Sequence, residues 1–463
     1  MKSTFSGWRY LWKSEDIRRK LIITFILLVI YRLAANVPAP GVNQEILEAF
    51  LNSSAAGGNF LGFLDLLSGG TVSNFSLLSM GVYPYITAQI ILQLLIPIIP
   101  SLQKRIQEDP REGRRWQEKW TYYLAVPMAA LSAIGQINIF NSLSINSGIG
   151  QPILPFGLTN PDTALASWTV LIAMTAGTMF AIWLGELISE YGIRGQGLSL
   201  IIFAGIVSQI PAQLVALLAD EQTRWVMLGL TLVVIVLTVL VIVYVQQGRR
   251  NVPVMYPGRR VGNRMSMPVK GTLPLMVNLS GMIPLIFASA ILQFPVIVAS
   301  WFVNSENPGV RDFFLNIQNF FGNTTGATSN WGYWLIYFLM VVTFTFFYTT
   351  VMFDQQNYGE NLKKMGASIP GVHTGAPTQK YLGTVQRRIT LIGAVFLGVV
   401  AILPFLVSLL LGAIGLAAAS SQTSIFLITS SGLLIVVGVV RDTFQNIDAE
   451  LKLHGYQESL LVR

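Results

Sequence analysis

The sequence predicts an all-α polytopic membrane protein with ten transmembrane helices and one half-helix that enters the bilayer without crossing it. Three observations carry this. Of 463 residues, 52% are hydrophobic and 11% charged, with a mean hydropathy of +0.58, outside the range of a soluble domain. Apolar runs fall near 20–37, 76–99, 121–141, 165–184, 197–218, 225–247, 273–300, 331–353, 387–411 and 424–445. These lengths suit the ~20 residues that cross a ~30 Å hydrocarbon core. Finally, 27 of the 30 lysines and arginines lie in the two tails and every second loop, leaving Arg224 and Arg311 in the alternate loops and Arg32 in the first run. Lysine and arginine excess marks cytoplasmic loops, so both termini are expected in the cytoplasm and the +8 charge is gathered on one face.

Several chemistries are excluded at the outset. There is no cysteine, and the two histidines, His373 and His454, are far apart in sequence, so no metal or redox cofactor is expected. No GxxxxGK[ST] phosphate loop occurs. The interiors of spans two to ten lack charged residues, and none lies between Ile389 and Val440. Proton- and sodium-coupled transporters keep a carboxylate at membrane depth. Serines within the spans have no histidine, lysine or aspartate partner, so the chain is not expected to be an enzyme.

In chain order, the first span begins after Arg18-Arg19-Lys20 and ends at Val37-Pro38-Ala39-Pro40-Gly41, without the small-residue site of a cleaved signal peptide. Arg32 near its outer end is placed to snorkel. Phe60 to Leu67 is an apolar helix of eight residues, too short to cross, broken by Ser68-Gly69-Gly70. Ser76 or Ser79 is expected to cap the second span. Irregular backbone at membrane depth survives only when buried in protein or lining a water-filled cavity, so a cavity is implied.

The loop from Gln103 to Trp120, with Glu108-Asp109-Pro110-Arg111-Glu112-Gly113-Arg114-Arg115, reads as a solvated turn of mixed charge. Gly185 to Gly197 packs two acids and four glycines into thirteen residues, a tight hinge. Gln246 to Lys270 alternates basic pairs with β-formers and reads as a projecting hairpin. The 35 residues from Asp354 to Arg388 hold spaced Pro and Gly and a helical piece at Asn361 to Met365. Together these two loops form a basic knob suited to a partner. Gln89, Gln93, Gln136, Asn138 and Asn278 are polar positions on the spans suited to interhelical hydrogen bonds, and Gly281 and Pro284 loosen the seventh span. All ten tryptophans fall in tails, loops or near span ends, where interfacial anchors sit.

Six long motifs, in order, resemble one family. They are Ile17–Gly41 (IRRKLIITFILLVIYRLAANVPAPG), Leu66–Leu95 (LLSGGTVSNFSLLSMGVYPYITAQIILQLL), Gly185–Ile206, Leu273–Leu292 (LPLMVNLSGMIPLIFASAIL), Glu360–Gly371 (ENLKKMGASIPG) and Gly432–Leu451 (GLLIVVGVVRDTFQNIDAEL). The family is SecY, the channel subunits of the Sec protein translocon, here of bacterial type. The resemblance implies two halves of five helices related as an inverted pseudo-repeat. Residues 1–190 would hold the first four spans, 191–196 the tight loop, 197–218 the fifth span and 219–224 the hinge between halves. Residues 225–445 would hold the remaining spans with cytoplasmic loops 246–270 and 354–388, and 446–463 a cytoplasmic tail.

In the same terms, residues 60–71 would be a plug, with Phe60, Leu61, Phe63, Leu64, Leu67, Ser68, Gly69 and Gly70 its body and Asp65 turned away from the ring it seats on. Val82, Ile86, Leu198, Ile202, Ile286 and Ile435 would form the pore ring; from the residues alone each reads as ordinary helix packing. Spans two and seven would be a lateral gate, with Gln89 and Asn278 as polar positions. Arg259, Arg260, Arg264, Lys363, Lys364 and His373 would dock the SecA ATPase or ribosomal RNA, and SecE and SecG would be the membrane partners. Signal peptides and nascent chains would be the clients, and the bacterial cytoplasmic membrane the location. Three departures stand out: His373 where the family has arginine, an extra Arg194 in the hinge, and Arg441 where a neutral residue is usual. The implied function is a passive, gated protein-conducting channel with no cofactor; the competing reading is a ten-span inverted-repeat secondary transporter of a small solute.

Overall fold

The structure, a computed structural model, describes residues 15–51, 75–102, 105, 109–144, 152–157, 161–219, 224–257, 260–261, 264–265, 269–302, 307–322, 331–413 and 424–453. The expected plug, residues 60–71, Arg259, the centre of the expected 219–224 hinge and the end of the tail lie outside the described residues.

The chain is built of long helices, and every apolar run contains helix, although the seventh begins as strand and the ninth is divided between two helices. The first helices are α1 (Glu15–Ala35), a short α2 (Gln44–Leu51), α3 (Tyr83–Ile98), α4 (Pro110–Ser144), α5 (Pro161–Tyr191), α6 (Gly197–Ala219) and α7 (Arg224–Gln247). A strand pair follows, β1 (Arg249–Tyr256) with β4 (Val269–Met276), enclosing the shorter β2 (Arg260–Val261) and β3 (Arg264–Met265). Then come α8 (Ile283–Phe302), α9 (Pro308–Gly322), α10 (Trp331–Gln356), α11 (Tyr358–Lys364), α12 (Ala376–Ala401), α13 (Leu403–Ala413) and α14 (Ser424–Leu453). Among the described residues, five helical stretches, within 111–141, 164–191, 228–247, 331–364 and 376–401, are long and apolar enough to cross a membrane by themselves.

The helix ends follow local chemistry. Glu15 and Asp16 open α1 and Arg32 closes it, complementing the helix dipole. Asn43 Oδ1 accepts the Glu45 and Ile46 amides, 3.1 and 3.4 Å, and so starts α2.

Three sequence expectations are corrected. α3 begins at Tyr83 and not at Ser76 or Ser79, because Pro84 is pre-set for a first helical turn while Phe75 and Gly81 take positive φ just before it. The Ser76 hydroxyl instead accepts the Leu78 amide at 3.2 Å, and Ser79 reaches Gln136 on α4 at 3.4 Å. The mixed-charge stretch after Asp109 is helix and not turn. Asp109 Oδ1 accepts the Arg111 and Glu112 amides, 3.1 and 3.3 Å, and Pro110 occupies the first position. The seventh apolar run opens as strand, Leu273–Met276 in β4, and becomes helix only at Ile283.

The hairpin itself is antiparallel, with Arg249 opposite Met276 and Tyr256 opposite Val269. Its tip, β2 with β3, sets Val261 opposite Arg264. Val252 and Val254 turn one face inward onto Phe353, Leu362, Ile369, Leu382 and Val385. Met255 and Ser368 exchange two backbone hydrogen bonds, 2.8 and 2.9 Å, so the two basic loops form one body at one end of the helices.

Buried side chains gather in several clusters. One joins α1, α5, α6 and α14 through Tyr31, Leu184, Ile188, Ile201, Ile206 and Val439. Another joins α7, α8, α10, α12 and α14 through Ile242, Leu285, Val341, Leu397 and Leu434. The turn from Gly192 to Gln196 links α5 to α6 with almost no clearance. A side chain at 197 would run into the Gly185 carbonyl, so only glycine fits there.

Candidate functional site

Between these clusters lies a cavity of about 430 Å³. Its walls come from α3, the 192–196 turn, α6, the turn before α8, α8 itself, α10 and α14. Ile86, Leu198, Ile202 and Ile286 line it. Val82, Ile202 and Ile435 are buried in one cluster, with Ile86, Leu198 and Met282 packed against it. The spacing explains the convergence: Val82 and Ile86, and likewise Leu198 and Ile202, are four apart and share a helix face. Thus the structure brings five of the six ring positions into one cluster, and the sixth, Ile286, is buried on α8 and faces the same cavity.

The polar part of the wall is supplied by Gln89, Gln93, Ser189, Gln196, Ser199 and Ser280. Arg441 and Asp442 are the only acidic or basic side chains on the described wall. Asp442 Oδ1 accepts from Arg441 Nε at 3.0 Å and Nη2 at 2.8 Å, so the pair neutralises itself. The lining therefore combines polar groups, which water can solvate, with branched aliphatics, which have no group to replace an ion's hydration shell.

α3 and α8 meet along a slender seam. The Tyr83 hydroxyl donates to the Ala290 carbonyl at 3.2 Å. Around it pack Ile90, Phe287 and Tyr348, the last two edge to face at 5.7 Å. Gln89 faces the cavity. Asn278 does not: it is buried, its Nδ2 donates to the Gly281 carbonyl at 3.0 Å and its Oδ1 accepts from Ser280 at 3.1 Å. Its place is in the turn that launches α8.

At the basic end, Lys363 and Lys364 stand exposed on α11, and Lys364 pairs with Glu360 at 3.2 Å. A second, larger cavity of about 990 Å³ opens beside them, with Lys380 and Arg387 of α12 and Asp354 of α10 on its rim. His373 is exposed, and its carbonyl accepts the Thr378 hydroxyl at 2.7 Å. Arg260 and Arg264 lie on β2 and β3 at the hairpin tip.

Sequence reasoning overlooked Met282, Phe287, Tyr348, Met352 and Asp442 on the cavity wall. Tyr348 and Met352 are four apart on α10, a spacing that could have suggested a shared face, but it is the spacing of any packed helix.

Residues 76–444 match the SecY family model. The chain is similar to the protein translocase subunit SecY of Thermus thermophilus, 35% identical over 96% of this chain and 94% of that one. It is also similar to the SecY subunits of Mycobacterium bovis, 35% identical over 96% and 97%, and Corynebacterium glutamicum, 33% over 96% and 97%. A solved protein-conducting channel superposes with a TM-score of 0.60 at 18% identity, covering 97% of this chain and 94% of that one. A solved SecY protein, whose plug domain is described as stabilising the closed state of the translocation channel, superposes at 0.59 with the same coverage and identity. Both structures match in fold.

Proposed function

The chain belongs to the SecY family, and from that premise we propose that it is the central pore subunit of a Sec translocon. In this reading it is a passive gated channel that passes unfolded polypeptides across a bacterial cytoplasmic membrane and releases apolar helices sideways into lipid. The observation that carries the proposal is the convergence of Ile86, Leu198, Ile202 and Ile286 on one cavity that is also lined by polar side chains.

A ring of branched aliphatics can deform around a passing chain, and when empty it offers no group to solvate an ion. The segment 60–71 would seal it from the far side. The α3–α8 seam would be the lateral exit, because a signal helix there meets cavity and lipid together and gains ~0.8 kcal/mol for each methylene it buries. Energy would come from a SecA-type ATPase or a ribosome docked on the basic end through Arg260, Arg264, Lys363, Lys364 and His373. That end and both termini would be cytoplasmic. SecE- and SecG-type subunits would complete the assembly.

Cysteine crosslinking tests the proposal on a chain with no native cysteine. A single cysteine at Ile86 or Ile286, in vesicles with a SecE partner, is presented with a stalled precursor carrying a cysteine in its signal helix. Disulfides at both positions, lost when a charge interrupts the signal's apolar core, are expected. No disulfide at either, together with solute uptake by the same vesicles, would overturn the proposal.

A further inference from the structure

The helix α9 has no part in the ring, the seam or the basic end. At fifteen residues it rises ~22 Å, too short to cross a ~30 Å core, and it carries Arg311 and Asp312, paired at 3.5 Å. It joins α8 to α10. α8 starts beside the basic loops at Ile283 and α10 returns to them at Gln356, so α9 lies at the opposite end of the molecule.

Its apolar residues cover a wider arc than the protein does. Phe314 stacks on Phe302 of α8 with ring centroids 4.7 Å apart, and Phe321 packs against the α8–α10 cluster. Beside that covered strip, Val310 is 38%, Phe313 61% and Phe320 37% exposed, with Ile317 between them. At ~100° per residue these four fall within about 80° of the circumference, and Arg311 and Asp312 fall well outside it. The stripe adjoins both neighbouring spans, since Phe313 meets Phe314 edge-on beside Phe302 and the Phe320 ring lies against Gly332, and those spans expose apolar side chains of their own, Phe294 and Trp301 on α8 and Leu335 on α10. Trp301 and Trp331, both exposed, flank α9 at the adjoining span ends, the level where tryptophan marks a membrane–water boundary.

We propose that α9 is an interfacial anchor: it lies in the plane of the membrane surface on the side away from the basic loops, with Val310, Phe313, Ile317 and Phe320 immersed among lipid acyl chains. The occupant is lipid because the stripe is continuous with the lipid-facing sides of α8 and α10. The Phe302–Phe314 stack then ties the end of α8 to that surface, so sideways movement of α8 must carry α9 through the interface. The inference rests on the membrane reading alone and stands or falls apart from the translocation proposal.

Spin labels on single cysteines at Phe313, Phe320 and Asp312 test it, in the full chain with its copurifying membrane subunits, reconstituted in phosphatidylcholine–phosphatidylglycerol vesicles. At 313 and 320 the label is expected to collide more with oxygen, which partitions into lipid, than with a water-soluble nickel chelate; at 312 the order reverses. Chelate dominance at all three positions would place α9 in water and overturn the inference. Low collision with both agents at 313 and 320 would mean that protein covers the stripe, which also overturns it.

Discussion

The two sides of the central cavity are joined by very different contacts. On one side α5 and α6 close to backbone distance at Gly185 and Gly197, and the Gly197 amide donates to Ser189 Oγ at 3.0 Å. There too, Thr24 of α1 accepts the Ile193 amide at 3.3 Å and Asn446 of α14 donates to the Arg194 carbonyl at 3.2 Å. On the other side α3 and α8 share one tyrosine hydrogen bond and the packing of Tyr83 and Ile90 with Phe287 and Ala290. Packed interiors are stiff, and surfaces joined by few contacts separate at least cost. In the proposed channel the difference says where the molecule gives way: α3 and α8 would part while the α5–α6–α14 side holds.

The largest expected effect is at the stiff side. Gly197→Ala would set a methyl against the Gly185 carbonyl and should cost more than ~3 kcal/mol, seen as lost folded yield and a lower unfolding temperature in detergent. Gly229→Ala on α7, with open space around it, should be neutral or mildly stabilising. Equal tolerance at both glycines would mean that the α5–α6 contact is not tight.

Ile202→Asn or Ile286→Asn would bury an amide in the aliphatic wall, destabilising the closed packing by ~1–3 kcal/mol. Ion leak through planar bilayers should rise on the order of tenfold, since 1.4 kcal/mol is a factor of ten. An unchanged leak would mean that these residues do not form the barrier. Tyr83→Phe removes one hydrogen bond across the seam, ~1 kcal/mol, or about fivefold in a closed–open balance. Export of a precursor with a weakened signal should improve; if it falls, the bond favours the open form.

The smallest effect on stability belongs to the basic end. Breaking the exposed Glu360–Lys364 pair with Lys364→Ala should change stability by about 0.5 kcal/mol or less. The double variant Lys363→Ala, Lys364→Ala should nonetheless weaken ribosome or SecA binding in a salt-dependent manner. Full binding would place docking elsewhere.

Much of this was readable in the sequence because the bilayer imposes a length and a loop-charge rule that short windows reveal. The ten apolar runs, the tight Gly185–Gly197 turn and the alternating Val252 and Val254 of β1 all follow from local pattern. The start of α4 is legible too, in the Asp109-Pro110-Arg111-Glu112 order, although its dense mixed charge equally suits a solvated turn. The proposed ring was readable only by family resemblance. Ile86 and Ile202 look like any aliphatic on any span, and what distinguishes them is a cavity formed by helices more than a hundred residues apart in the chain. Asn278 misled for the opposite reason. A polar residue on a span suggested an interhelical or gate contact, whereas its side chain bonds to Gly281 and Ser280 within its own turn.

Pinning each side in turn tests the central claim most directly. Cysteines replace Tyr83 and Ala290 across the seam, or Arg194 and Asn446 across the stiff side, and a short reducible thiol crosslinker joins each pair. Precursor export should stop when the seam is pinned, recover on reduction, and proceed almost unimpaired when the stiff side is pinned. Export that survives a pinned seam, or that fails equally with either pin, would contradict the account.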